Sequence, residues 1–201
     1  RRVAAWFAMP HVGGVMGQYQ VTNPGGGGQD IYWRYQTAIK QQEDRMGSVL
    51  GAHGAFYAIR KSTYRELPPG TINDDFIIPM HIVMQGFAVR YDTGIVTAEA
   101  EVVADADEMG RRLRISLGNI QQVAQLSGVL RPRYGWVAYN FAAGKVLRVL
   151  CPALMALVLG GSLILAPTHW LFALFFIAQI AVYAAAYLDN RFRLIRHLGL
   201  R

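Results

Sequence analysis

The chain has 201 residues, which is enough for one domain of ordinary size and an additional segment. Its hydrophobic content of 53% is higher than a soluble domain needs, and its net charge of +7 raises nucleic acid as a partner, which the position of the charges must decide. Cys151 is the only cysteine, so an intrachain disulfide and a cysteine-rich metal site are excluded.

The N-terminal part predicts a helix, a strand and a glycine-rich loop. Arg1–Met9 reads as a helix that begins in its middle, and Val12–Val21 alternates loosely, as a strand does. Four glycines follow at Gly25–Gly28. They lack the Lys-Ser/Thr of a P-loop and do not form G-x-G-x-x-G, so we expect a surface loop rather than a phosphate site.

A helix and a short strand come next. Gln29–Met46 predicts an amphipathic helix whose apolar face is formed by Ile31, Tyr35, Ala38 and Ile39. The apolar run Ala55–Ile59 predicts a buried strand.

Two adjacent acids open the following helix, predicted over Asp74–Gln85. Asp74 and Asp75 fall in its first turn, where the helix dipole favours negative charge. Either Asn73 or Asp74 is expected to be the N-cap, and a capping role is the structural alternative to a catalytic one. A neighbouring acid raises the pKa of a carboxyl and a helix N-terminus lowers it, so the sequence leaves the balance open.

The remaining part of the domain alternates strand and helix. Gly86–Tyr91 and Ile95–Glu101 predict two strands split by a turn at Asp92–Gly94. Asp105–Leu126 predicts a long helix. Its start, Asp105-Ala106-Asp107-Glu108, reads as a capping box more than as a metal-binding D-x-D. This order of elements indicates an α/β domain.

An aromatic and basic segment precedes a long apolar one. Residues 131–148 carry Trp136 and Tyr139 at helical spacing with Lys145 and Arg148, which predicts an interfacial amphipathic helix, with a plain core helix as the alternative. Val149–Leu188 contains no charged residue and is long enough for two membrane spans of about 20 residues each. Pro167–His169 divides it, so we expect a transmembrane hairpin rather than one buried helix.

Basic residues flank both ends of the predicted hairpin. They are Arg131, Arg133, Lys145 and Arg148 before it, and Arg191, Arg193, Arg196 and Arg201 after it. This distribution places both flanks, including the tail 189–201, on the cytoplasmic side of an inner or plasma membrane and suits anionic lipids. It argues against nucleic acid as the partner of the positive charge.

Four pieces of the chain, in order, resemble the C-terminal half of membrane-bound family 2 glycosyltransferases. This family includes synthases of cellulose, chitin, hyaluronan and poly-N-acetylglucosamine, and ceramide glucosyltransferases. The pieces are Val12-Gly13-Gly14-Val15-Met16-Gly17, Gly51–Arg60, the acid pair Asp74-Asp75, and Arg111-Arg112-Leu113-Arg114-Ile115, which is similar to (Gln/Arg)-x-x-Arg-Trp. The resemblance implies that residues 1–130 are the second half of a GT-A domain.

The resemblance also implies roles for individual residues. Asp75 would be the general base that deprotonates the acceptor hydroxyl, with Asp74 subordinate to it. Arg114, with Arg111, would hold the diphosphate of the leaving nucleotide, although a solvated basic helix face is the alternative.

The acceptor pocket would be lined by His53, Gly54 and Ala55. The family link is looser at His53, and a lone histidine such as this one or His81 is more often structural than catalytic. Ile115 stands where the family has a tryptophan that stacks on an acceptor sugar, so processive binding of a polymer is not implied.

The resemblance places the donor-binding acids upstream of this chain. We therefore expect a divalent metal, Mg or Mn, in the full-length enzyme, no metal site in this chain, and no turnover by the isolated fragment. The resulting hypothesis is a membrane-bound inverting glycosyltransferase of cell-envelope polysaccharide synthesis. Its partners would be a nucleotide-sugar donor, a glycan or lipid acceptor, membrane lipids and possible synthase subunits. The alternative is a non-catalytic transferase-like scaffold of a synthase complex.

Overall fold

The computed structural model describes residues 1–21, 27–99 and 108–192, and the chain divides into two compact units. The first unit runs from Arg1 to Val149, and the second begins at Leu150. Of the predicted glycine-rich loop, Gly25 and Gly26 lie outside the described residues, whereas Gly27 and Gly28 begin a helix rather than a loop. Asp105–Asp107 and the basic tail from Arg193 onward also lie outside the described residues.

A three-stranded mixed sheet forms the centre of the first unit. The strands are β1 (Val12–Val21), β2 (Tyr57–Ile59) and β3 (Ala88–Glu99), in the order β2-β1-β3. β2 pairs antiparallel with β1, whereas β3 pairs parallel with it. Val12, Val15 and Met16 of the central strand are fully buried. The predicted strand at Ala55–Ile59 is shorter than expected and only half-buried, because β2 lies at the sheet edge.

The prediction of two strands separated at Asp92–Gly94 was wrong, since β3 is one strand with an irregularity. Asp92 pairs with Gly17 and Val96 with Gln18, so three residues of β3 lie between consecutive residues of β1. The Asp92 carboxylate accepts hydrogen bonds from Arg2 (2.9 Å), Trp6 (2.9 Å) and the backbone N–H of Gly94 (2.8 Å). These bonds fix the local turn while parallel pairing with β1 continues on both sides of it.

The described helices agree closely with the predicted ones. They are α1 (Arg2–Phe7), α2 (Gly27–Arg45), α3 (Asp74–Met84), α4 (Glu108–Gln125), α5 (Trp136–Phe141), α6 (Leu147–Leu165) and α7 (Trp170–Phe192). A π-helical segment, Ala142–Val146, joins α5 to α6.

The segment predicted as an interfacial helix has a core face, as its alternative interpretation expects, and an exposed aromatic face. Phe141 is fully buried and stacks on Phe76 of α3, with ring centroids 6.2 Å apart, so this face belongs to the core. Trp136 and Tyr139 are 60% and 63% exposed on the other side. The helix therefore anchors to the domain through one face and presents aromatic side chains on the other.

The chain from Trp136 onward is largely apolar helix, which begins in the first unit and continues through the second. Two helices, Trp136–Leu165 and Trp170–Asp189, are long and apolar enough to cross a membrane. Gln179 of α7 donates a hydrogen bond of 3.2 Å to the hydroxyl of Ser162 on α6. The two helices are joined at the predicted turn, Pro167–His169.

Candidate functional site

The first turn of α3 places the two acids at a tightly held corner. Asn73, the N-cap, has a left-handed backbone (φ 55°), which asparagine tolerates better than most residues. Its side chain makes no capping hydrogen bond. The backbone carbonyl of Asp75 accepts a hydrogen bond of 2.8 Å from the N–H of Ala52. The loop that contains His53 is thereby fixed against the acid pair.

Three glycines closely approach this turn. A Cβ on Gly118 of α4 would collide with the Asn73 side chain, and a Cβ on Gly51 would collide with the Phe76 ring. A Cβ on Gly54 would lie 3.2 Å from Oδ2 of Asp75. Close approach to Phe76 and Asn73 accounts for glycine at positions 51 and 118, and a Cβ at position 54 would crowd the Asp75 carboxylate.

The environment of Asp75 determines the direction of its pKa shift, which the sequence leaves open. Burial, and then the charge of Asp74, raise the pKa of Asp75 above its ordinary value. The N–H of Phe76 and the ammonium of Lys145 oppose this rise. Burial, followed by the two acids, also raises the pKa of Tyr57, so its phenol keeps its proton. Asp75 is half-buried and Asp74 is exposed, so the two adjacent acids lie in different environments.

His53 lies in an aromatic cluster beside Gly54. The ring centroid of Trp33 is 5.7 Å from that of His53 and 4.3 Å from that of Tyr19. Burial, with a smaller contribution from Lys40, lowers the pKa of His53 to about 4. The imidazole is therefore neutral near pH 7. It is polar yet uncharged, and it adjoins flat apolar rings, a combination that suits contact with a sugar.

A group of three charged residues was not predicted from the sequence: Lys40, Glu43 and Lys145. Nζ of Lys40 lies 2.9 Å from Oε2 of Glu43 and also donates to the carbonyl of Leu50. Glu43 accepts a further bond from the N–H of Leu50. Nζ of Lys145 lies 4.1 Å from the centroid of the Phe76 ring. The three-residue spacing of Lys40 and Glu43 is the one signal in the sequence that points to this group.

The helix α4, which carries Arg111 and Arg114, is bonded to the loop that precedes the acids. Oε1 of Gln121 accepts a hydrogen bond of 2.7 Å from the N–H of Ile72, and Gly118 contacts Asn73. Arg114, Gly118 and Gln121 share one helix face by their spacing, and Arg111 continues it. Both arginines are exposed. The structure thus joins the predicted basic helix to the predicted acid turn.

No group of three or more His, Cys, Asp and Glu side chains that could hold a metal occurs within residues 1–21, 27–99 and 108–192.

Comparison of the sequence with protein-family models gave no match, and comparison with curated proteins gave none. Solved structures do match. One is the mannosyltransferase PcManGT from Pyrobaculum calidifontis in complex with GDP-Man and Mn2+, with a TM-score of 0.51 and 19% sequence identity. The alignment covers 94% of this chain and 56% of that one, so the chain spans about half the length of the mannosyltransferase. This likeness shows that the chain shares its fold with a glycosyltransferase.

Proposed function

We propose that this chain is the acceptor-side half of a membrane-bound inverting glycosyltransferase of family 2 type. Asp75 carries the proposal, because it is a half-buried carboxylate of raised pKa, closely approached by the backbone of Gly54, in a chain with a glycosyltransferase fold. The donor is a nucleotide sugar on the cytoplasmic side, and the acceptor is a glycan or lipid of the cell envelope. Any Mg or Mn ion that the full-length enzyme uses is bound outside the described residues.

The reaction is a single displacement. The acceptor hydroxyl gives its proton to the carboxylate of Asp75, and its oxygen forms a bond to the anomeric carbon of the donor sugar. The bond from that carbon to the nucleoside diphosphate breaks, and the electron pair leaves with the phosphate oxygen. Arg111 and Arg114 bind the departing diphosphate, whose growing charge they stabilise. His53 and the adjoining aromatic rings orient the acceptor.

Substitution of the base in the full-length protein tests this mechanism. Asp75→Asn preserves shape but cannot accept the proton, so transfer from the nucleotide sugar should fall by roughly 100- to 10,000-fold. The variant should fold normally, as judged by circular dichroism and thermal unfolding. Asp74→Asn is the matched control, and it should keep most of the activity. Full activity in Asp75→Asn would remove this residue from the mechanism.

A scaffold role gives a different result in the same experiment. If the full-length protein transfers no sugar even with both acids intact, but other synthase subunits co-purify with it, the catalytic proposal is wrong. The chain would then serve assembly rather than chemistry.

A further inference from the structure

The apolar face of α2 lies open in the described part of the chain. Ile31 is 70% exposed and Tyr35 is 62% exposed, and Ala38 and Ile39 continue the same face. A surface helix normally turns its apolar face toward a core. An exposed apolar surface of this kind marks an interaction site.

A groove of about 450 Å³ runs along this face. Tyr35 and Ile39 of α2, with Met46 just after it, form one wall, and Ala143 and Gly144 of the π-helical segment form the other. Gln42, Glu43 and Asn140 contribute polar atoms to the lining. The volume lies within the range of about 300–1,000 Å³ that is typical of ligand sites.

The second wall belongs to a candidate membrane span. Ala143 and Gly144 are part of the helix Trp136–Leu165, which is apolar and long enough to cross a bilayer. Trp136 and Tyr139, at its start, are exposed and pack edge to face with centroids 5.8 Å apart. Tryptophan and tyrosine concentrate where hydrocarbon meets water, so the groove lies at the depth where a lipid would reach it.

Each wall of the groove has an arginine close to it in the sequence. Arg45 precedes Met46 at the end of α2, and Arg148 follows Gly144 by one helical turn. Both side chains are exposed. Arginine binds phosphate oxygens through two parallel hydrogen bonds, which favours an anionic lipid over an uncharged apolar ligand.

We propose that this groove binds a hydrocarbon chain of an anionic phospholipid, whose phosphate is held by Arg45 and Arg148. The inference rests on the membrane insertion contained in the proposed function, but it is independent of sugar transfer. The lipid is a bound structural partner that covers the apolar face of α2.

Photolabelling tests the proposal. The full chain is placed in nanodiscs that contain phosphatidylglycerol with a diazirine in one acyl chain, and the labelled peptides are mapped after irradiation. Label is expected on α2 near Ile39 and on the peptide containing Ala143. Ala143→Trp and Ala38→Trp fill the groove from opposite walls, and each should reduce the α2 label several-fold. Ala185→Trp on α7 is the matched control and should leave the α2 label unchanged.

Label on α7 measures insertion into the bilayer independently of lipid binding in the groove. Label on α7 without label on α2 would disprove lipid binding in the groove while supporting membrane insertion. An α2 label that is unchanged in both groove-filling variants would disprove lipid binding in the groove as well. Absence of label on α7 would overturn membrane insertion and this proposal together. A dimer that Ala143→Trp dissociates, without α2 label, would show that a second copy fills the groove. Equal α2 labelling by phosphatidylcholine with the same diazirine chain would overturn the preference for an anionic lipid, and an unchanged α2 label in the Arg45→Gln, Arg148→Gln double variant would overturn the role of the arginines.

Discussion

Asp75 owes its proposed role to its surroundings as much as to its chemical type. The sequence places both acids in the first turn of a helix, and the structure agrees. What the sequence could not supply is burial, which depends on contacts with the loop at Ala52 and Gly54, some 20 residues away. Burial makes the raised pKa prevail over the helix terminus. A base is most effective when its pKa approaches the working pH, so this environment favours catalysis.

The pH dependence of transfer should respond to Asp74. Asp75 must be ionised to act as a base, so the rate falls as the pH drops through its pKa. The charge of Asp74 raises that pKa. In Asp74→Asn the acidic limb of the pH–rate profile should therefore move to lower pH, with the plateau rate nearly unchanged. An acidic limb that stays in place would mean that another group controls it.

His53 should make the fold sensitive to acid. Its pKa is about 4 in the folded chain, against 6.5 for an ordinary histidine, so the unfolded chain binds more protons between these values. Stability is then lost as the pH falls from about 6.5 toward about 4, by an amount on the order of 2 kcal/mol after allowance for partial exposure. In His53→Gln, the drop in melting temperature between pH 7 and pH 4.5 should shrink. His11→Gln, at an exposed histidine, is the control and should leave the drop unchanged.

Elements were predicted best where the local pattern agrees with the tertiary contacts. The bounds of β1 were predicted correctly, and those of α3 to within one residue, because β-alternation and the first-turn acids are local signals. β3 was divided in the prediction because Asp92-Thr93-Gly94 is a strong turn sequence. Its continuity comes from β1, a strand more than 60 residues earlier, and from Arg2 and Trp6, which local sequence cannot reveal.

The contact of α4 with the acid turn should tolerate no added methyl group at Gly118. In Gly118→Ala the new Cβ would collide with Asn73 and push the turn away from its position, at a cost of roughly 1–3 kcal/mol. Transfer by the full-length protein should decrease more than binding of the acceptor, because Asp75 moves with Asn73. Gly144→Ala meets open space and serves as the control. Equal stability and activity in the two variants would disprove a positioning role for this contact.

The two apolar helices should be coupled by their polar pair. Gln179→Leu removes the bond to Ser162, and we expect a loss of about 0.5–1 kcal/mol in the unfolding free energy measured in detergent. Ser162→Ala should cost a similar amount. The double variant should cost less than the sum of the two, since both remove one interaction. Strict additivity would show that the pair contributes nothing to the hairpin.

At the scale of the whole molecule, the distribution of apolar residues along the chain was an informative guide. The uneven distribution of apolar residues separates a mixed α/β unit from a helical one, and the structure divides the chain close to the predicted start of the hairpin. A likeness in fold to a mannosyltransferase agrees with the glycosyltransferase fold that the four short motifs imply, whereas the particular family stays a proposal. The sequence could not show that Phe141 would enter the core while Trp136 stays exposed, because both residues fit the same apolar helix.

The glycine contacts around the first turn of α3 have a consequence for how this protein can evolve. The turn is held by backbone atoms and by close contacts with the glycines at positions 51, 54 and 118. The charged form of the Asp75 carboxylate, by contrast, is destabilised by partial burial. Replacing that carboxylate by an amide should leave the fold intact or make it more stable, as is common for groups retained for activity. On the proposed function, a single nucleotide change can therefore convert an active transferase into a well-folded inactive paralogue. Gly51 and Gly118, where a Cβ would collide with neighbouring side chains, have no such freedom, so we expect them to be retained after Asp75 is replaced in any lineage that has lost the reaction.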